Sequence, residues 1–100
     1  MYELCVTQTA DKIFTKLSKK NKSQLLMIHK KIQEIWNNPT HAYKYLHPPL
    51  QGFNRVHIDT NFVIVFKINH KYQTVEVYYF DHHDNVYKWR PKPDETPTYK

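Results

Sequence analysis

The chain has 100 residues, one cysteine, fifteen Lys or Arg against nine Asp or Glu, and a formal charge of +6 with seven histidines besides. That length supports one domain, Cys5 has no internal disulfide partner, and no apolar run approaches the roughly 20 residues that span a bilayer. The positive balance favours a polyanion or an acidic protein as partner. With Glu3 and Cys5 breaking any apolar leader, we expect a cytoplasmic protein with no membrane contact.

Tyr2 to Thr7 alternates as a short strand, with Tyr2, Leu4 and Val6 on one face. Thr9 is the expected cap of a first helix, whose apolar stripe is Ala10, Ile13, Phe14 and Leu17. Asn21 caps a second helix, with Gln24 three residues on, and Leu25, Ile28, Ile32, Ile35 and Trp36 form its stripe. Asn37-Asn38-Pro39 ends it. Two helices so closely joined read as an αα-hairpin that lays its apolar seam on a sheet. The lysines on the outer faces raise a field that attracts phosphates without specific contacts.

Thr40 to Pro49 is irregular, and Gly52 opens a strand from Phe53 to Asp59. Turn chemistry at Asp59-Thr60-Asn61 leads into the most apolar run, Phe62 to Ile68. After Asn69-His70-Lys71 comes a last clear strand, Thr74 to Asp81. Short turns make these three an antiparallel meander. The expected fold class is α+β, a small antiparallel sheet with an N-terminal αα-hairpin packed on one face, in the order β-α-α-β-β-β. Residues 1–88 form the domain, and the Pro- and Lys-rich residues 89–100 read as a mobile polar tail.

Strand parity puts Phe53, Arg55, His57 and Asp59 on one side and Asn54, Val56 and Ile58 on the other. Val56 and Ile58 suit the helix-covered face, which leaves Arg55 and His57 on the open one. There an arginine neutralises phosphoryl oxygens and an imidazole moves protons near neutral pH. His83 lies just past the last strand, Tyr87 one helical turn later if that segment coils, and His47 approaches from the loop. Such a set can cleave RNA without metal: one group takes the 2′-hydroxyl proton, another protonates the leaving 5′ oxygen, and Arg55 stabilises the phosphorane. A metal site from Asp81, His82, His83 and Asp84 competes. Neighbours on a strand diverge, however, and no Cys or His-x₃-His spacing supports zinc, so neither metal nor cofactor is expected.

Three stretches carry a family resemblance: His47-Pro48-Pro49-Leu50-Gln51-Gly52, the run from Val56 to Ile68, and His83-Asp84-Asn85-Val86-Tyr87. Together they resemble the RelE/ParE toxin superfamily, and within it the YafQ branch of messenger-RNA interferases. The likeness implies a RelE-like fold and a toxin of a type II toxin–antitoxin system. It implies metal-independent cleavage of messenger RNA in the ribosomal decoding site, with His47, His57, His83 and Tyr87 at the branch's active-site positions and Arg55 at a basic one. His83 and His57 would transfer protons, His47 would assist, and Tyr87 would stack on a base or bind phosphate. Asn61 stands where the branch has an aspartate. An amide orients but takes no proton, and Asp59, of His57 parity, would replace it. The implied partners are a cognate antitoxin, messenger RNA and the ribosome, with no DNA partner of its own. The alternatives are a ParE-like toxin that inhibits gyrase by binding alone, and a catalytically inactive RNA-binding relative.

Overall fold

The structure, a computed structural model, describes residues 1–93 and 95–99. Strand β1 (Glu3–Val6) leads into α1 (Gln8–Lys20), and α2 (Lys22–Asn37) follows at once. Residue Thr7, not Thr9, caps α1: its hydroxyl oxygen accepts from the Ala10 N–H at 3.2 Å and its O–H donates to the Tyr78 carbonyl at 3.0 Å. Thr7 also keeps a strand bond from its N–H to the Val77 carbonyl at 3.0 Å, so strand end and helix cap fall on one buried residue. Asn21 caps α2 as expected, accepting from the Gln24 N–H at 3.1 Å.

The meander is β2 (Asn54–Ile58), β3 (Phe62–Asn69) and β4 (Thr74–His82). The expected α+β architecture is present, with the helical hairpin on one face. The sheet order is β2-β3-β4-β1-β5, where β5 is Thr98–Tyr99. The hairpin carries the chain back across the sheet, so β1 enters beside β4 in parallel, Leu4 opposite Val75 and Val6 opposite Val77. The sheet is therefore mixed.

Among the described residues of 89–100, read from composition as a mobile tail, several are held against the domain. The Trp89 ring stacks on Tyr79 at 5.0 Å, the Glu95 carboxylate accepts from the Thr9 N–H and hydroxyl at 3.0 and 2.9 Å, and Thr98 pairs with Val6. Aromatic area and a carboxylate on a helix N-terminus outweigh the prolines.

A register shift between Val65 and Phe66, where Val65 faces Tyr79 but Phe66 faces Val77, leaves Tyr78 as an extra residue in β4. Such a bulge reverses the alternation of faces beyond it. Val77 and Phe80 thus both join the helix-side core, with Ile28, Ile64 and Phe66, while Tyr78 and Tyr79 lie against the other side. That other side is not bare, as the parity argument had it. It carries a second small core of Leu46, Leu50, Phe53, Val63, Val65 and Val86, closed by the 40s loop and by α3 (His83–Val86).

Candidate functional site

Beside this second core lies a cleft of about 400 Å³ whose walls include His47, Arg55, His57, His83 and Tyr87. The chain delivers them from three places. Arg55 and His57 alternate onto the same face of β2, which is paired with β3 through Arg55–Val65 and His57–Val63. His83 is the first residue of α3, and its N–H donates to the Asn61 carbonyl at 2.8 Å, tying the helix start to the β2–β3 turn. His47 comes from the loop, where its N–H donates to the Tyr87 hydroxyl at 2.9 Å and its ring lies within 17° of parallel to the Tyr87 ring.

The electrostatics divide the imidazoles. Burial first, then the charges of Arg55, His83 and Lys44, hold the His57 pKa below the ordinary histidine value, so His57 is neutral at pH 7. Arg55 Nη1 lies 3.3 Å from His57 Nδ1. A guanidinium only donates, so Nδ1 accepts and the ring proton is assigned to Nε2. His83 is arranged the other way: its Nδ1 lies 3.0 Å from Asp84 Oδ1. The carboxylate only accepts, which places a proton on Nδ1, so that a ring with a single proton leaves Nε2 bare. One imidazole offers the cleft a donor and the other an acceptor. Arg55 adds a fixed positive charge.

Asp59 and Asn61 do not join them. β2 ends at Ile58, and Asp59 turns into the left-handed region with φ 52°, so strand parity no longer governs its side chain. It borders a groove shared with Lys30 and Lys31 of α2. Asn61 contributes its backbone carbonyl to His83, and its N–H donates to the Asp59 carbonyl at 2.6 Å. Two neighbours escaped the sequence reading, and a third was read there only as a metal-ligand candidate. Thr60 lines the cleft from a positive φ of 64°, Lys44 acts on His57 by charge alone, and Asp84 orients His83. Only Asp84, adjacent to a motif histidine, left a signal in the sequence.

No family model matches the sequence. The fold is that of small RelE/ParE-type toxins. It superposes on a YoeB/ParE toxin from Agrobacterium tumefaciens with TM-score 0.71 at 15% identity, covering 81% of this chain and 98% of that one. Against the RelBE2 toxin–antitoxin complex of Mycobacterium tuberculosis the TM-score is 0.68 at 20% identity, over 82% of this chain and 98% of that one. YafQ of E. coli gives 0.68 at 13% identity, over 87% and 99%. In sequence, the chain is 51% identical over 88 residues to a Methanocaldococcus jannaschii protein named "Putative toxin RelE4", covering 88% of this chain and 93% of that protein. The chain belongs to the RelE toxin family. Among the described residues, no helix is long and apolar enough to cross a membrane.

Proposed function

We propose that this RelE-family toxin is an endoribonuclease that cuts messenger RNA on the ribosome without a metal cofactor. The observation that carries the reading is the pairing, in one cleft, of a neutral histidine backed by Arg55 with a second histidine backed by a carboxylate. His83 Nε2 takes the proton of a ribose 2′-hydroxyl, and the 2′ oxygen attacks the adjacent phosphorus. Arg55 and the Nε2–H of His57 stabilise the charge that builds on the non-bridging oxygens. The Tyr87 hydroxyl accepts from the His47 N–H, and its own proton goes to the leaving 5′ oxygen. The products are a 2′,3′-cyclic phosphate and a 5′-hydroxyl end. A base stacked on the Tyr87 or His47 ring would add about 1–3 kcal/mol of binding.

The partner that restrains this activity is a cognate antitoxin with an acidic segment, suited to a chain of net charge +6. Ribosomal RNA is the other polyanion the charge suits. Induction of the protein in a bacterial host, beside His83→Ala, with primer-extension mapping of a reporter transcript tests the reading. Growth arrest with new cuts inside translated codons, lost in the variant, is the expected result. Arrest that persists in the variant with no cuts would replace the nuclease by a toxin that acts through binding, as in the ParE-like alternative.

A further inference from the structure

The sequence argued against a metal because neighbours on a strand point to opposite faces. The structure removes that objection at one point. β4 gives way to α3 between His82 and His83: His82 is the extended cap residue with ψ 143°, and its Nδ1 accepts from the Asp84 N–H at 3.2 Å. The change of backbone brings consecutive side chains together. His83 Nδ1 lies 3.0 Å from Asp84 Oδ1, and His82 Nδ1 lies 3.5 Å from Asp84 Oδ2. The two imidazole centroids are 4.5 Å apart and their planes differ by 31°. One ligand atom from each of the three residues falls within 4.8 Å of the others.

Those separations suit a zinc ion. Bonds of about 2.0–2.1 Å in a tetrahedral site hold ligand atoms roughly 3.3 Å apart. The two histidine-to-carboxylate distances bracket that value. His83 and Asp84 are exposed and His82 is half-buried, and zinc on His82 Nδ1 would displace the bond this nitrogen accepts from the Asp84 N–H. Two imidazoles and one carboxylate leave the fourth position to water. Asp81 is not part of the set, since its carboxylate accepts from the Tyr79 hydroxyl at 2.6 Å and the His82 N–H at 2.7 Å.

We propose that His82, His83 and Asp84 form a zinc site, and that zinc there switches the nuclease off. The site lies at the rim of the cleft and shares His83 with it. Zinc on His83 Nδ1 takes the place of the proton that now faces Asp84. The neutral ring then carries its proton on Nε2, and the nitrogen that was free to accept the 2′-hydroxyl proton becomes a donor. The switch rests on the endoribonuclease reading, whereas the binding site does not.

Calorimetry and histidine-ring NMR on the whole chain, titrated with zinc chloride in a non-chelating buffer, test the site. The expected result is one ion per chain, with the His82 and His83 resonances shifting together. His82→Asn keeps an acceptor for the Asp84 N–H, so α3 stays capped, yet it removes a ligand and should weaken binding by at least the roughly 10–100-fold that loss of an outer-shell partner costs. Asp84→Asn should weaken it likewise. Equal affinity in the wild type and both variants, or shifts confined to other histidines, would overturn the site. In a cleavage assay, zinc should silence the wild type reversibly with a chelator, and the ratio of rates with and without zinc should approach one in His82→Asn. The same loss in both proteins would overturn the switch. A wild type that binds zinc here but cuts nothing overturns the nuclease, and with it the switch, and leaves the metal site standing.

Discussion

The two faces of the sheet are built from alternate residues of the same strands, yet they do different work. Towards the helices, Ile28, Ile64, Phe66, Val75 and Val77 are wholly buried within a large apolar cluster, with Gln24 and Asn54 among the few buried polar residues. Each such apolar side chain contributes about 1.5–3 kcal/mol by burial, an upper estimate that ignores residual burial in the unfolded chain. The opposite face has an apolar centre only as large as the 40s loop, α3 and Trp89 can cover. Around it stand groups that a core would not tolerate, among them Arg55, His57 and His83. One face holds the protein together. The other uses the rigidity so gained to keep a donor, an acceptor and a cation in register.

Paired substitutions across the sheet should separate these roles most strongly. Phe66→Ala, on the covered face, should cost about 3–5 kcal/mol in denaturant unfolding and leave cleavage per folded molecule unchanged. His83→Ala, on the other, should lower cleavage by about 10²–10⁴-fold and move stability by no more than about 0.5 kcal/mol. The exposed imidazole is lost while the N–H bond to Asn61 stays. If His83→Ala unfolds the chain as Phe66→Ala does, the division of labour fails.

A smaller effect is expected within the site. Arg55 is the largest charge contribution, after burial, to the lowered His57 pKa. In Arg55→Gln the His57 ring should titrate at higher pH than in the wild type, read from its Hε1 shift by NMR. The sign follows from removing a like charge that disfavours the imidazolium. An unmoved titration would mean that the two side chains do not share the cleft in solution.

The smallest effect belongs to neither face. Burial raises the Glu95 pKa, but bonds from the Thr9 N–H and hydroxyl and from Thr7 outweigh it, and the net value lies below the ordinary carboxylate range. A depressed carboxylate stabilises the fold above its unfolded pKa, about 4.3, and that gain is lost as pH falls through the folded value. Glu95→Gln should therefore lower stability by about 1 kcal/mol at pH 7. The two proteins should converge below pH ~4, as followed by thermal unfolding across pH. A constant difference down to low pH would show that the clasp is not ionic.

Much of this was legible because it is local. Hydrophobic periodicity marks the two helices and four of the strands, Asn21 announces its own cap, and parity along β2 assigns Arg55 and His57 to one face against Val56 and Ile58 on the other. Those are properties of a few consecutive residues, and side-chain direction follows from backbone period alone. The motif order likewise pointed to the RelE toxins, as the relative from M. jannaschii bears out.

What the sequence could not hold is whatever depends on residues far apart meeting. Thr7 became the α1 cap because Tyr78 and Val77 lie beside it across 71 and 70 positions. The bulge at Tyr78 turned Tyr79 to the cleft side and Phe80 to the core. The left-handed turn after Ile58 took Asp59 out of parity. The Pro-rich end became a clasp because Glu95 found a helix N-terminus and Trp89 found Tyr79. His82, His83 and Asp84 converged because the strand stops there. In each case a contact between distant segments, or the end of an element imposed by one, outweighed a local preference of about 1 kcal/mol or less.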